Sequence, residues 1–404
     1  MFTRRRFLTA AGAVAGSGGA LRAAAQMRIG PEGLPEGAIE AAVFDTLPGK
    51  LPLIKRSFRP PNFETPTRYF AEAFTPNDAF FVRYHLSNIP EVDAAAWRLT
   101  IAGDAAEKPF ELTLEQLQRD FEVVETAALC LCSGSRRGLS SPHVPGIQWG
   151  HGAMGNALWK GVRLRDVLAK AGIKGGALEV AFDGADSGVV DKTPDFVKSL
   201  PAWKAMDPDT LIAWEMNGEP LPRWNGYPVR LVVPGWTATY WMKHLTSIEV
   251  RSQPFTGFWM KTAYRIPKRT FPVVDRFLSQ ETDVNTPITE MVVNSHIVNL
   301  REGGMYKADS PLFVRGVAWD GGYGITRVEA SYDGGATWRL AELGPDLGRF
   351  SWRQWTFACT PTAGEHIVMA KATNRLGASQ VFDLIFNPAG YHNNVVQRVK
   401  IVCN

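Results

Sequence analysis

The last third of the chain constrains its fold most: short alternating runs are separated by Asp-Gly-Gly turns. In 325–332, Val328, Ala330 and Tyr332 alternate with Arg327, Glu329 and Ser331. A period of two puts one set of side chains on one face of a strand. Asp320-Gly321-Gly322 and Asp333-Gly334-Gly335 fall between strand-like runs and read as hairpin turns, where glycine supplies the positive φ that a tight reversal needs. Short strands at this spacing predict an all-β, immunoglobulin-like sandwich over 281–404.

The preceding text is mixed. Residues 26–75 are rich in proline and read as an extended lead-in over the surface. From about 76 to 280 helix and strand signals coexist, which predicts an α+β domain over 26–280. Thr113 stands three residues before Gln116, ahead of Leu114, Leu117 and Phe121, a capping-box start. Leu164, Val167, Leu168 and Ala171 have helical spacing and stop at Gly172. Val229–Val233 is a buried-strand run bounded by Pro228 and Pro234-Gly235. Residues 133–160 and 181–228 show no clear period, and loops of that length are usually functional.

The first 25 residues differ again. Thr3-Arg4-Arg5-Arg6-Phe7-Leu8 opens a run of small and apolar residues that ends at Ala23-Ala24-Ala25. This reads as a twin-arginine export signal, and periplasmic localisation is the expectation; a basic N-terminal tail is the alternative. The chain is formally +4, and these 25 residues hold four arginines and no acid, so the remainder is neutral. Its basic pI is therefore no sign of a nucleic-acid partner. No run of about 18 apolar residues lies beyond the N-terminus, so no membrane span is expected.

Four cysteines in 404 residues (Cys130, Cys132, Cys359, Cys403) do not make a disulfide scaffold. In Ala128-Leu129-Cys130-Leu131-Cys132-Ser133-Gly134-Ser135-Arg136-Arg137-Gly138 an apolar run ends at Cys132, followed by a Ser/Gly turn and two arginines. Nearby guanidinium groups favour the thiolate, the form that binds metal or attacks. Two buried core cysteines are an equally good reading of this segment alone. No second cysteine or histidine pair has zinc spacing, and the seven histidines do not form a blue-copper pattern. Thiolate nucleophile chemistry with a histidine base stays open on spacing. In Phe80-Phe81-Val82-Arg83-Tyr84-His85, Arg83 and His85 share one face of a strand, which suits an anion site or a solvated edge. Phe258-Trp259-Met260-Lys261-Thr262-Ala263-Tyr264-Arg265 is basic and aromatic, and alone reads as a surface strand.

Together these segments resemble the sulfite oxidase family of molybdopterin enzymes over about residues 45–400. The shared blocks are Phe-Phe-Val-Arg-x-His, the Cys-x-Gly-x-x-Arg turn, Gly152-Ala153 ahead of Ala157-Leu158-Trp159, Asn217-Gly218-Glu219-Pro220-Leu221-Pro222, and Pro228 to Gly235. Trp319-Asp320-Gly321-Gly322, Asp333 to Trp338, and Trp352-Arg353-x-Trp355 extend them into the sandwich. With the export signal and no haem domain ahead of these blocks, the bacterial periplasmic sulfite dehydrogenases are the nearest resemblance.

The resemblance implies a single molybdopterin on an oxo-bearing molybdenum, with Cys132 as the protein's metal ligand and Cys130 structural. It places Arg83 and Arg137 on the substrate oxyanion, with Trp149 and Tyr264 as aromatic pocket members. His85 lies near the cofactor, where its protonation would influence the pH dependence. Tyr84, Asp186, Asn225, Arg230, Trp241, Met242 and Lys243 match cofactor-binding positions, and Arg230 and Lys243 would hold the terminal phosphate. The implied reaction is oxidation of sulfite to sulfate. The chain has no Cys-x-x-Cys-His haem motif, so a c-type cytochrome is the expected electron acceptor, with a possible homodimer through the C-terminal domain. Two departures stand out: Asn225 replaces a histidine of the animal enzymes, and Ala389 replaces their third substrate-site arginine, a gap for Arg265 or His392 to fill. The rival readings are a sulfur dehydrogenase or sulfoxide reductase on the same scaffold, and a non-catalytic exported binding protein.

Overall fold

The computed structural model describes residues 43–273 and 275–404; the expected signal over 1–25 lies outside them, as does the start of the proline-rich lead-in. Among the described residues the fold is mostly β, and its helices are short, so the helical share expected of an α+β domain shrinks to two α-helices of more than four residues.

Four short strands open the fold: β1 (Phe44–Asp45), β2 (Leu53–Ser57), β3 (Asn62–Glu64) and β4 (Val82–Arg83), paired in that order. Next, β5 (Leu99–Ala102) and β6 (Phe110–Leu112) join β9 (Glu179–Gly184), β10 (Lys198–Pro201) and β14 (Leu245–Arg251) in one sheet. A second sheet holds β7 (Val123–Leu131), β8 (Met154–Arg163), β11 (Leu211–Met216) and β12 (Glu219–Pro220), with β13 (Arg230–Val232) on β11. The run 181–228 looked aperiodic because β10 and most of β11 are buried on both faces, which removes the alternation that marks a half-exposed strand.

The two helices form as their cues require. In α1 (Leu114–Arg119) the Thr113 hydroxyl accepts from Gln116 N at 3.1 Å, and Gln116 Oε1 accepts from Thr113 N at 2.9 Å. That reciprocal cap contributes about 1 kcal/mol. α2 (Leu164–Ala171) buries Leu164, Val167, Leu168 and Ala171 and stops at Gly172, whose φ is +69°.

β15 (Arg265–Pro267) and β16 (Asn285–Pro287) form a ribbon ahead of the C-terminal strands. The segment read as a surface strand is instead a helical turn, Phe258–Lys261, and only its end enters β15. Between them Tyr264 takes a φ of +59°, a left-handed conformation that costs a non-glycine residue about 1–2 kcal/mol.

Two sheets make the C-terminal region. One orders β17 (Asn294–Ile297), β19 (Leu312–Trp319), β23 (Arg353–Cys359) and β22 (Glu342–Leu343). The other orders β18 (Gly304–Tyr306), β25 (Gln397–Cys403), β24 (Gly364–Asn374), β20 (Ile325–Ser331) and β21 (Arg339–Leu340). Val328 and Ala330 point into the shared core, as their alternation requires. Asp333-Gly334-Gly335 does close a hairpin, between β20 and β21. Asp320-Gly321-Gly322 does not: it carries the chain from one sheet to the other. Asp320 accepts from Gly322 N and Gly324 N with one oxygen and from Asn374 Nδ2 with the other, and this widens the turn beyond a two-residue reversal.

Residues 43–404 form one compact unit. A small core unites both regions: Phe70, Leu129, Leu131 and Met154 pack with Met291, Val317, Trp319 and Trp352. Leu129 N also donates to Phe350 O at 2.9 Å, pinning β7 from the C-terminal side.

Candidate active site and cofactor pocket

β7 delivers Cys130 and Cys132 to one cavity. The two residues are separated by one position, so a strand presents both on the same face. The chain then turns tightly: Ser135 N donates to Cys132 O, and Arg137 N to Gly134 O. A Cβ at Gly134 would lie 2.7 Å from the Arg137 guanidinium, so a larger residue there would push that side chain aside. The turn is held by the 149–153 loop. Cys132 N donates to Ala153 O, Arg136 N to Gly150 O, and Gly138 N to Trp149 O. That loop is clamped by buried Glu64, whose carboxylate accepts from Gly150 N, from Gly152 N at 2.9 Å and from Arg56 Nε at 2.6 Å.

The opposite wall is cationic. Arg230 is buried against Trp159 and Trp241, at 5.0 and 5.6 Å from their ring centroids, and donates to Asn225 O and Trp241 O. Lys243 donates to Arg83 O at 2.8 Å and sits 4.2 Å over the Tyr84 ring. Burial pulls its ammonium down to about 8, although Asp186 opposes the shift. Arg83 donates to Asn62 Oδ1 at 3.2 Å and to the Tyr264 hydroxyl at 3.4 Å. Asp186 is the one carboxylate on the cavity wall, and burial raises its pKa.

Of the residues expected at the site, Arg83, His85, Cys132, Asp186, Asn225, Arg230, Trp241, Met242, Lys243 and Tyr264 all line this cavity. Three do not. Tyr84 lies behind Lys243 and shares a hydrogen bond of 2.7 Å with His244 Nε2. Trp149 is fully buried core, linked to the cysteine turn through its carbonyl. Arg137 donates to Ala389 O at 2.7 Å and Ile147 O at 3.2 Å and lies 5.2 Å over the Tyr391 ring. Asn225 reaches the cavity wall, but both ends of its amide are engaged: Lys50 Nζ donates to its Oδ1 at 2.6 Å, and its Nδ2 donates to Phe81 O.

Three residues escaped the sequence reading. Phe196 stacks on His85 with centroids 3.7 Å apart, while Tyr264 shares a hydrogen bond with His85 Nε2. Burial, then the charges of Arg83 and Lys243, hold His85 neutral. Lys198 is buried on β10, donates to Trp259 O at 2.7 Å, and lies 5.1 Å from the Tyr264 ring centroid. A lysine inside the apolar run Phe196 to Leu200 was the available signal. Tyr391 stacks on Tyr264 at 5.6 Å and 7°; nothing in its local sequence marks it. Neither residue expected to fill the gap left by Ala389 lines the cavity. Arg265 is engaged by Asn285, Met260 O and Gln280 O, and buried His392 packs against Phe271.

This donor set fits an anionic organic cofactor with a thiolate-bound metal. Arg83 Nε, Arg230 Nε and Thr239 Oγ1 are buried on the cavity wall without a hydrogen-bond partner, and three cations face one carboxylate. Buried cations and orphaned donors are costly unless something anionic completes them. No cluster of three or more His, Cys, Asp or Glu residues that could hold a metal ion occurs among the described residues, so a metal in this cavity would take most of its ligands from a cofactor.

Comparison with known proteins agrees. Residues 85–259 match the oxidoreductase molybdopterin binding domain and residues 285–404 the Mo-co oxidoreductase dimerisation domain. The mitochondrial sulfite oxidase of Macaca fascicularis is 36% identical over 79% of this chain and 59% of its own length. The Gallus gallus sulfite oxidase is 35% identical over 79% of this chain and 70% of its own. The chain thus spans about 59% of the macaque relative. Among solved structures, the sulfane dehydrogenase SoxCD of Paracoccus pantotrophus matches with a TM-score of 0.73 and 26% identity, covering 92% of this chain and 90% of that one. With cysteine turn, cationic cavity and both family regions in one chain, the protein belongs to the sulfite oxidase family of molybdopterin oxidoreductases.

Proposed function

We propose that this protein is a molybdenum-dependent sulfite dehydrogenase, with Cys132 as metal ligand. The observation that carries the reading is the Cys132 thiol on the wall of a cavity whose three cations face one carboxylate and leave two arginine Nε atoms without partners. Arg230 and Lys243 would hold the phosphate of the pterin, with Asp186 as the one acceptor for its ring nitrogens. The bound centre supplies oxygen-atom transfer with uptake of two electrons. Arg83 binds and orients the substrate oxyanion, its charge offsetting the repulsion of an anion approaching an electron-rich centre. The Tyr264 hydroxyl, shared between Arg83 and His85, positions an oxygen of substrate or product. His85, held neutral, fixes the Tyr264 hydroxyl through the hydrogen bond they share. Phe196, stacked on His85, keeps water from that side.

We infer further a 26–280 catalytic domain, a 281–404 immunoglobulin-like domain through which two copies pair, twin-arginine export to the periplasm, and one-electron transfer to a c-type cytochrome. One observation favours a second reading, a sulfur dehydrogenase acting on a larger substrate. Arg137, expected on the oxyanion, is instead engaged by two carbonyls and Tyr391, and a sulfane dehydrogenase shares the fold. The test is direct. Purified protein should carry one molybdenum per chain and reduce cytochrome c with sulfite, and Cys132→Ser should abolish both the activity and the thiolate-to-metal absorption. Retention of that absorption in Cys132→Ser would overturn the assignment.

A further inference from the structure

The substrate side of the cavity combines one arginine with an aromatic wall. Arg83 is the cation that reaches Tyr264 there. Arg137 is turned onto the Ala389 and Ile147 carbonyls. Lys198 is tied to Trp259 O between the Tyr240 and Tyr264 rings, and burial favours its uncharged form. His85 is likewise neutral. Phe196 and Tyr264 line the cavity, and each is backed by a further ring. Trp259 packs edge-on to Phe196 at 5.2 Å, and Tyr391 stacks on Tyr264. A fully ionised sulfite has two charges and no apolar part, so it leaves this wall unused and one charge unmatched. Apolar surface beside a single cation suits a monoanion that bears a carbon substituent.

We propose that the site also oxidises organosulfinates, R–SO2⁻, with the oxyanion on Arg83 and the substituent R against the Phe196–Tyr264 wall. This rests on the molybdenum sulfur-oxidising reading above. A sulfinate presents the same sulfur lone pair as sulfite, with carbon in place of one oxygen. The balanced reaction is R–SO2⁻ + H2O → R–SO3⁻ + 2H⁺ + 2e⁻. One S–O bond forms with oxygen that derives from water, two protons leave to solvent, and two electrons pass through the metal centre to a one-electron acceptor. The C–S bond is untouched.

The experiment uses the full-length, molybdenum-loaded protein with ferricyanide as acceptor and three substrates: sulfite, methanesulfinate and benzenesulfinate. Benzenesulfinate should be oxidised to benzenesulfonate with kcat/KM about tenfold above methanesulfinate, the order of gain from burying part of a phenyl ring. Trp259→Ala and, separately, Phe196→Leu should each shrink that aryl-to-methyl ratio by about fivefold or more. The ratio reports on the wall and is insensitive to a general loss of active enzyme. Sulfite oxidation without any sulfinate oxidation would overturn this inference and leave the sulfite reading standing. A ratio near one, or one unmoved by both variants, would likewise overturn it. Loaded protein that turns over none of the three would overturn both readings.

Discussion

Glu64 is the residue whose removal should disturb the cysteine turn most without touching the cavity. Its carboxylate, 2% exposed, takes hydrogen bonds from two backbone amides and from Arg56 Nε. Glu64→Gln keeps the shape, removes the charge and turns one acceptor oxygen into a donor. One of the Gly150 and Gly152 amides then faces an NH2 group, and Arg56 loses its carboxylate. A buried hydrogen bond to a charged group is worth about 1.5–3 kcal/mol, and leaving its partner unsatisfied adds to that. A loss of about 3 kcal/mol in local stability corresponds to about a hundredfold in opening equilibrium. Hydrogen exchange measures it directly: the Gly150 and Gly152 amides should exchange about a hundred times faster. The effect should spread to Arg136 N and Cys132 N, which donate to Gly150 O and Ala153 O. If Gly150 and Gly152 accelerate by less than about threefold, the clamp contributes little, since that factor is under 1 kcal/mol. If they accelerate and Cys132 does not, the loop and the cysteine turn are uncoupled and the positioning argument fails.

Cys130→Ala should retain molybdenum and the thiolate-to-metal absorption, because burial pushes the Cys130 thiol up to about 11 and disfavours the thiolate; loss of metal in this variant, measured by elemental analysis, would move the ligand assignment. Lys243 gives a pH signature with two signs. Without an anion its folded pKa of about 8 lies below its ordinary 10.5, so burying the charged form is penalised at low pH and the cofactor-free protein gains stability as pH rises from about 8 to 10.5. Anion binding needs the charged form, so affinity for inorganic phosphate as a probe should fall as pH rises through 8, and Lys243→Met should flatten both trends in calorimetry. Arg230→Met should lower molybdenum content by well over half, because it removes the buried cation and leaves the Asn225 and Trp241 carbonyls without their donor. Trp352→Ala should lower the unfolding midpoint through a loss of about 3–5 kcal/mol, since this buried ring joins both regions and its Nε1 donates to Ala73 O; a shift below 1 °C would contradict the shared core.

Much of this was legible in the chain. Local cues held where one physical rule decided the outcome: the Thr113–Gln116 cap, the Gly172 stop, the inward Val328 and Ala330. The Cys132 turn was read from its resemblance to the family's Cys-x-Gly-x-x-Arg block, since the segment alone suited two core cysteines equally well. β10 and β11 were hidden because double burial erases a period of two. The Asp320 turn misled because one of its hydrogen-bond partners, Asn374, lies far along the chain. The site divided in the same way. Residues on β4, β7 and the 225–243 stretch converge because short segments carry them. Phe196 reaches the cavity, and Lys198 and Tyr391 pack behind Tyr264, through tertiary packing alone, and Arg137 was drawn off by the Ala389 and Ile147 carbonyls, whose proximity no local spacing encodes.

The hydrogen bond from Leu129 to Phe350, with the small core around Trp352, has a bearing on how this architecture can be recombined. The boundary between the two family regions looks like a place for cutting and grafting, yet the half of β7 that leads to Cys132 is covered from beyond it. A chimera with an unrelated β-sandwich would expose Leu129 and Leu131 and loosen the strand that carries the sulfur. Exchange of the second region should therefore succeed only when the donor brings its own counterpart of residues 350–352, so the two regions are constrained to change together.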